Sequence, residues 1–263
     1  MSGAPRVLVL CGGAGTRLRQ ETEYKPKALV EIGGRPILWH IMKLYTHAGF
    51  RDFVLALGYK GFMIKEYFLN FERMNLDFTL NLRTKAEHFW CHAEEREDWT
   101  ITFSDTGLGT PTGGRVHRAR KYLNDATFFV TYGDGVADVD LRRLLDFHRR
   151  SGKLATLTGV HPSSPFGVIE SAGGVVTSFK EKPYLEGLIN GGFFVFEPGV
   201  FDYLGHDTVL EEDPLRRLAA EGQLAVYEHR GFWSCMDTFK DVERLNAMWE
   251  RGERPWRLWS RGG

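Results

Sequence analysis

A short apolar run that breaks into glycines, VLVLCGGAGTRL at residues 7–18, constrains this chain more than any other feature. Near-continuous apolar character over residues 6–11 is typical of a strand buried on both faces of a parallel sheet. A glycine-rich loop directly after such a strand usually holds phosphate, because backbone N–H groups can approach it closely. The kind of loop therefore bears on both the fold and the chemistry.

The spacing of the glycines excludes two familiar phosphate loops. A Walker A loop needs a lysine in the register G-x-x-x-x-G-K-[ST], and none follows here. A dinucleotide-binding loop needs a third glycine where this chain has Leu18. Two interpretations remain. One is a wider loop whose backbone wraps a nucleoside triphosphate with Arg17 adding charge, and the other is an ordinary strand-to-helix turn.

The segment Lys25-Pro26-Lys27 follows this loop and favours the first interpretation. A residue before proline is held out of the helical region, so the segment is extended. One lysine can then face the phosphates while the other faces solvent. Two lysines alone would more often be a solvated patch. After a glycine loop on a first strand, they are better interpreted as a phosphate clamp.

The order of elements predicts an α/β fold. Strands alternate with helices in the first half, with helices expected near residues 63–71 and 115–123, and a last helix near 238–250. We expect a three-layer sandwich around a mostly parallel, Rossmann-like mixed sheet, with small antiparallel additions from the strand-rich second half. No repeat or linker divides the chain. Residues 1–263 therefore read as one domain, with nucleotide binding roughly in 1–135 and sugar-phosphate binding roughly in 136–263.

Composition excludes several classes of partner. Lysine plus arginine and aspartate plus glutamate are balanced at 34 each, which gives no electrostatic case for nucleic acid or an anionic membrane. No apolar run approaches the ~20 residues that span a bilayer, and the early first strand leaves no room for a signal peptide. The three cysteines lack disulfide or zinc spacing, so we expect a cytoplasmic protein.

Two aspartates are candidates for a metal site. Asp134, in YGDG, follows an apolar strand and should lie at the sheet edge where α/β folds bind ligands. Asp237, in FWSCMDT, could join it only in three dimensions. Mg²⁺ prefers one or two carboxylates together with phosphate and water oxygens. Each aspartate also has a purely structural alternative, since Asp134 could form a turn and Asp237 could cap the last helix.

The run GGAGTRL…KPKALVEIGGRPILWHIM resembles the fingerprint of the sugar nucleotidyltransferases. In finer detail the chain is similar to the glucose-1-phosphate cytidylyltransferases over nearly its whole length, through GYKGFMIKEYF, VTYGDGVADVD, INGGFFVF, GFWSCMDT and RPWRLW. The thymidylyltransferases carry K-Q rather than K-P-K after the loop, which argues against that branch.

The resemblance implies the roles of individual residues. Asp134 and Asp237 would hold Mg²⁺, and they would form the catalytic group together with Arg17 and Lys27. The nucleotide would bind to residues of the first strand, of the glycine loop and of the later loop SDTGLGTPTGGRV. These residues are Leu10, Cys11, Gly12, Gly13, Ala14, Gly15, Thr16, Arg17, Lys27, Thr106, Gly107, Gly113, Arg115 and Gly133. Thr106 would suit the edge of a pyrimidine base, and Arg115 a phosphate.

The acceptor would bind to Glu181, Lys182, Asn190 and Gly191, of which Lys182 would pair with the sugar phosphate. The resemblance implies the reaction of CTP with α-D-glucose 1-phosphate to give CDP-glucose and pyrophosphate. A phosphate oxygen of the sugar would attack the α-phosphorus in line, so catalysis would rest on positioning and charge neutralisation. The family tends to form homo-oligomers.

Two alternatives stay open. The same fold could use another phosphorylated acceptor, since residues 83–98 and 161–171 differ from the glucose enzymes and the second stretch should border the acceptor pocket. A non-catalytic sensor of nucleotide sugars is the other alternative. Loss of Lys27, Asp134 or Asp237 would favour a sensor, and all three are present.

Overall fold

The computed structural model describes residues 4–92, 96–123, 126–162, 166–181 and 187–259, with the side chains of 19 and 20 excepted. Its strands are β1 (Val7–Leu10), β2 (Glu31–Ile32), β3 (Arg35–Pro36), β4 (Asp52–Leu57), β5 (Phe78–Leu80), β6 (Glu87–Phe89), β7 (Thr100–Asp105), β8 (Phe128–Tyr132), β9 (Gly135–Ala137), β10 (Ala155–Val160), β11 (Val168–Ala172), β12 (Val175–Lys180), β13 (Ile189–Phe196), β14 (Leu224–His229) and β15 (Trp233–Cys235).

The helices are α1 (Arg19–Thr22), α2 (Ile37–His47), α3 (Gly61–Leu69), α4 (Phe71–Asn75), α5 (Thr112–Ala119), α6 (Leu141–Ser151), α7 (Asp213–Ala220) and α8 (Phe239–Glu250). Short 3₁₀ turns occupy Thr16–Leu18 and Lys27–Leu29 in the region of the glycine loop. None of the helices within the described residues combines the length and the apolar character needed to cross a bilayer.

Seven strands form one sheet in the order β14-β10-β13-β8-β1-β4-β7. Only β13 runs antiparallel to its neighbours, β8 and β10, and the other pairs are parallel. Strand β1 lies between β8 and β4, and every residue of it is buried. Its loop therefore leaves the middle of the sheet at the carboxyl edge, where open α/β sheets bind ligands.

Helices cover both faces of the sheet, and alternate residues of each central strand enter different cores. Val7 and Val9 pack with α2 and α6 on one face. Leu8 and Leu10 pack with α5 and α7 on the other. Four separate two-stranded pairings, β2-β3, β5-β6, β9-β15 and β11-β12, supply the antiparallel additions. The predicted three-layer, mostly parallel α/β fold is confirmed.

Helix α5 begins at Thr112, three residues before the expected start. From the sequence, Gly113 and Gly114 are expected in a loop. In the structure they lie in α5 and let this helix approach the segment at residues 206–208. A Cβ on Gly114 would stand 2.1 Å from the carbonyl oxygen of His206, and one on Gly113 would stand 2.6 Å from Thr208 Oγ1. The glycines therefore permit close packing rather than a turn.

His40 is 1% exposed and is surrounded by tryptophan rings. Its Nε2 lies 2.8 Å from the carbonyl oxygen of Ile32, and its Nδ1 accepts a hydrogen bond from Trp256 Nε1 at 3.4 Å. Only a neutral ring fits both partners, since a protonated ring would direct a second N–H at the indole N–H. Burial lowers the pKa of His40 to about 4, with Arg35 and Arg257 adding to the effect.

This environment predicts a loss of stability in mild acid. Because the folded state keeps His40 neutral while the unfolded chain takes up a proton near pH 6.5, stability should fall as the pH drops from about 6.5 toward 4. Between pH 7 and pH 5 the contribution is about 2 kcal/mol. Urea unfolding at both pH values should show a smaller decrease for His40→Phe than for wild type. His47→Gln, at an exposed position, should keep the wild-type decrease. An equal decrease in the His40 variant would contradict this account.

Candidate active site

Two adjoining clefts open at the carboxyl edge of the sheet. The first encloses about 340 Å³ and the second about 390 Å³. They share Arg17, Thr112, Tyr132, Asp134 and Asp237. The first cleft is otherwise lined by Leu10, Cys11, Gly12, Gly13, Gly15, Thr16, Lys27, Ala28, Thr110, Pro111, Arg115 and Gly133.

The glycine loop bounds the first cleft with bare backbone. Gly15 adopts a φ of +61°, and a Cβ there would come within 3.2 Å of Lys27 Cβ. Gly12 has no room for a side chain, because a Cβ would stand 2.0 Å from Arg115 Nη1. Gly13, in contrast, faces open space. The loop is therefore closed on the protein side and accessible on the cleft side, which suits backbone contact with an anion.

Lys27 connects the two candidate carboxylates. Its Nζ donates to Asp134 Oδ2 at 2.6 Å and to Asp237 Oδ1. Arg17 adds a second cation, with Nη1 3.1 Å from Asp237 Oδ2, while its own side chain stays 75% exposed. Two carboxylates and two cations from three separate parts of the chain thus meet where the two clefts join.

Strand pairing explains why the aspartates converge. Strands β9 and β15 pair antiparallel with Gly135 opposite Cys235, and the amide of Met236 donates to the carbonyl of Asp134 at 2.8 Å. Asp134 directly precedes β9 and Asp237 follows shortly after β15, so both side chains emerge at the same end of this pair. Residues a hundred positions apart are brought together by local sheet geometry.

Asp237 is not the cap of the last helix. Thr238 caps α8, and it forms a capping box in which its side chain accepts from the amide of Asp241 and its own amide donates to the Asp241 carboxylate. The amide of Asp237 also donates to Asp241 Oδ2 at 3.2 Å. The capping alternative is therefore excluded, and the Asp237 carboxylate is available to the cleft.

The two lysines of the Lys-Pro-Lys segment point in different directions. Burial alone would lower the pKa of Lys27, but attraction and hydrogen bonds from Asp134 and Asp237 outweigh burial and raise it above the usual value. Lys27 therefore keeps its positive charge. Lys25 lies 3.5 Å from Glu21 and 3.9 Å from Glu31, away from both aspartates.

Arg115 lines the first cleft but is only 4% exposed, and its guanidinium donates to several protein acceptors. Its acceptors belong to the glycine loop, the end of β4 and the loop after β7: the carbonyls of Gly12, Leu57, Gly107 and Leu108 and the hydroxyl of Thr106. We conclude that Arg115 ties three loops together. Binding of phosphate by Arg115 stays a prediction.

Four of the expected nucleotide residues do not line the first cleft: Ala14, Thr106, Gly107 and Gly113. Thr106 is fully buried and donates to the carbonyl of Leu57 at 2.6 Å. Gly107 accepts from Arg115, and Gly113 packs on Thr208. Thr106, Gly107 and Gly113 thus contact other parts of the protein, and their contact with a nucleotide stays a prediction.

The second cleft includes two of the four expected acceptor residues, Asn190 and Gly191. Glu181 is not among its lining residues and lies beside Gly167, where a Cβ would stand 3.1 Å from its Oε2. Lys182 falls outside the described residues. Sequence reasoning did not identify Thr112, Tyr132, Glu211 or Trp233, which also line this cleft. Only Tyr132 carried a signal, since it directly precedes the Gly-Asp-Gly turn.

Curated relatives extend over nearly the whole chain. A glucose-1-phosphate cytidylyltransferase of Salmonella typhimurium strain LT2 is 47% identical over 257 residues, which cover 97% of this chain and 99% of the relative. A Bacillus subtilis (strain 168) protein named "Probable glucose-1-phosphate cytidylyltransferase" is 46% identical over 256 residues, which cover 97% of this chain and 100% of that one.

Solved structures agree on the fold. A UDP-glucose pyrophosphorylase complexed with UDP-glucose superposes with a TM-score of 0.68 at 16% identity, covering 94% of this chain and 99% of that one. The family model for nucleotidyl transferases matches residues 6–252. The chain therefore belongs to the nucleotidyl transferase family, and within it to the group of the glucose-1-phosphate cytidylyltransferases.

Proposed function

We propose that this protein transfers a cytidylyl group from CTP to α-D-glucose 1-phosphate and releases pyrophosphate. The observation that carries the proposal is the meeting of Lys27, Asp134 and Asp237 where the two clefts join. One cleft offers an open backbone loop for a triphosphate, and the other offers polar groups for a sugar. The reacting phosphates of the two substrates would then lie over the charged group.

The identity of both substrates is supported by the relatives. Proteins 46% and 47% identical over nearly full length carry the name glucose-1-phosphate cytidylyltransferase. The nucleotide would occupy the side built largely from residues 1–135, and the sugar phosphate the side built largely from 136–263. A cytoplasmic location fits the three cysteines, all of which are free thiols.

Positioning and charge neutralisation would supply the catalysis. The backbone of Gly13 would contact the triphosphate, and Lys27 and Arg17 would balance negative charge on the transferring and departing groups. The acceptor phosphate itself would be the nucleophile, so no side chain needs to form a covalent intermediate. Asn190 would help to hold the sugar in the second cleft.

The aspartate pair fits a divalent cation. Two carboxylates already enclose a positive charge here, that of Lys27, and Mg²⁺ commonly takes one or two carboxylates with phosphate and water oxygens. Mg²⁺ bound to Asp134 and Asp237 would neutralise charge that develops on the nucleotide phosphates. Lys27 Nζ now occupies one oxygen of each aspartate, so Lys27 and a divalent cation would compete for this pair, and bound CTP would favour the cation by attracting Lys27 to its phosphates.

A nucleotide-by-acceptor matrix tests the proposal. Pyrophosphate release would be measured for CTP, UTP, GTP and dTTP, each with glucose, galactose and mannose 1-phosphates. CTP with glucose 1-phosphate should give the highest kcat/KM. Tight CTP binding without turnover of any of these acceptors would contradict the glucose assignment, and absence of turnover with every pair would contradict transferase activity.

The two lysines provide a matched pair of variants. Lys27→Ala removes the cation from the reacting phosphates and should lower kcat/KM by about 10² or more, the usual loss on removing one charge-stabilising group. Lys25→Ala should lower it by less than about threefold, because Lys25 pairs with Glu21 and Glu31 instead. Steady-state kinetics on both variants would test this difference, and thermal melts would verify that both variants fold. Equal losses would refute the separate roles of the two lysines.

We also propose that the protein forms homo-oligomers through the hairpin of β11 and β12. This hairpin is a separate two-stranded pair with both strands mostly exposed, and two strands alone are marginally stable in water. Its apolar side chains include Ile169, Val175 and Phe179, which are 58%, 68% and 64% exposed. A contiguous apolar surface of this kind marks an interface, and a second copy of the chain would cover it.

Multi-angle light scattering after size exclusion would test this interface. Wild type should elute as an oligomer, and Val175→Asp should shift it toward the mass of one chain, because a buried unpaired charge is costly. Phe62→Glu, at a 60% exposed position on α3, serves as the control and should leave the mass unchanged. A monomeric wild type, or an unaltered mass for Val175→Asp, would rule out this interface.

A further inference from the structure

We propose that Glu211 is a specificity-determining residue that accepts a hydrogen bond from a ring hydroxyl of the acceptor sugar. The inference rests on the proposed function and names a contact for its second cleft. Glu211 lines that cleft together with Asn190 and Gly191. It lies in the loop before α7, far in sequence from every other residue of the site.

The protein holds the Glu211 carboxylate from two sides. The hydroxyl of Tyr132 donates to Oε1, and Thr112 Oγ1 donates to Oε2 at 2.6 Å. Each carboxylate oxygen can accept two hydrogen bonds, so one position on each oxygen remains. A carboxylate on an exposed loop would normally rotate freely. Here two hydroxyls fix its plane before any ligand arrives, which lowers the entropic cost of recognition.

The two hydroxyls are themselves fixed by further hydrogen bonds. Asn190 Nδ2 donates to the Tyr132 oxygen at 3.0 Å, and Asn190 Oδ1 accepts from the amide of Gly192 at 2.9 Å. The Thr112 hydroxyl accepts from the amide of Leu210 at 2.9 Å. Each hydroxyl therefore accepts one hydrogen bond from an N–H group and donates its own proton to Glu211.

The ionisation of Tyr132 supports this direction of donation. Burial, and next the neighbouring Glu211 carboxylate, raise the pKa of the Tyr132 phenol far above its usual value. The phenol thus stays protonated over the working range of pH and remains a donor. The resemblance implies that Asn190 contacts the sugar. In the structure its side-chain amide also orients this chain of hydrogen bonds.

Charge determines which part of the acceptor faces Glu211. Among the described residues, no lysine or arginine forms an ion pair with this carboxylate, so it would repel the sugar phosphate. Lys27 and Arg17 instead lie beside Asp134 and Asp237, on the border with the first cleft. A hexose 1-phosphate whose sugar ring carries no charge would therefore lie with its phosphate at the cations and a hydroxyl at Glu211. A uronic acid 1-phosphate would place two carboxylates together and be rejected.

A purely structural role for Glu211 is the competing account, in which the carboxylate only anchors Tyr132 and the start of α5. The two accounts differ in one measurable respect. A contact with the sugar couples the Glu211 carboxylate to one particular hydroxyl, whereas an anchor affects every acceptor alike. A cycle that combines Glu211→Gln with deoxy analogues of glucose 1-phosphate separates them.

The experiment measures kcat and KM for wild type and Glu211→Gln with CTP and glucose 1-phosphate, each varied separately. It then compares the 2-, 3-, 4- and 6-deoxy analogues as acceptors. We expect KM for glucose 1-phosphate to rise about tenfold to a hundredfold in the variant while KM for CTP stays within about threefold, as for a lost hydrogen bond to a charged group. One deoxy analogue should be a poor acceptor for wild type, yet nearly as good as glucose 1-phosphate for the variant.

Glu212→Gln is the matched control, since it makes the same chemical change at the adjacent exposed position and should match wild type. If Glu211→Gln fails to fold, Tyr132→Phe replaces it. This variant removes the donor that orients the carboxylate, and it should weaken the same discrimination. Parallel losses for all four analogues in wild type and variant would overturn the inference and leave the proposed function intact. Absence of turnover by wild type with any sugar 1-phosphate would instead refute the proposed function.

Discussion

Two carboxylates that face each other require a cation between them, and the site of this protein is built around that requirement. At an effective dielectric constant of about 20, two like charges about 4 Å apart repel by roughly 4 kcal/mol. That is a large share of the roughly 5 to 15 kcal/mol by which a domain is stable. Lys27 supplies the cation for Asp134 and Asp237, and its raised pKa reflects their attraction. Its own burial is offset by these contacts.

The surrounding structure holds these three side chains in place. The pairing of β9 with β15 sets the two aspartates side by side, and the capping box of α8 fixes the backbone that carries Asp237. Gly15 turns the first loop tightly enough to leave room for Lys27. Arg115 ties this loop to the ends of β4 and β7 through five acceptors. Binding and catalysis would therefore depend on contacts that no substrate touches.

Features encoded over short stretches of chain could be predicted from the sequence. The alternation of strands and helices gave the α/β class, because period and composition are local properties. The glycine loop is recognisable from its own composition. The different directions of Lys25 and Lys27 follow from the residues around Pro26. The sequence leaves two roles open to Asp237, that of a helix cap and that of a carboxylate in the cleft. The structure separates them, because Thr238 is the cap and because β9 pairs with β15 across a hundred residues.

Other features depend on contacts that sequence patterns do not reveal. A buried arginine that binds backbone carbonyls is rare, so no sequence pattern reveals that the guanidinium of Arg115 donates to five protein acceptors. Glu211 belongs to a run of three acidic residues that resembles a solvated surface. It becomes a candidate only when Tyr132 and Thr112 are seen to hold its carboxylate from distant parts of the chain.

Competition between Lys27 and a divalent cation for the two aspartates is the most direct test of this account. Mn²⁺ binding can be followed by electron paramagnetic resonance in wild type, Lys27→Met and Lys25→Met, each with and without CTP. The account predicts weak binding by wild type alone and tighter binding once CTP draws Lys27 away. Lys27→Met should bind Mn²⁺ at least about tenfold more tightly than wild type without nucleotide, and Lys25→Met should match wild type. Equal Mn²⁺ affinity of Lys27→Met and wild type in the absence of CTP would contradict it.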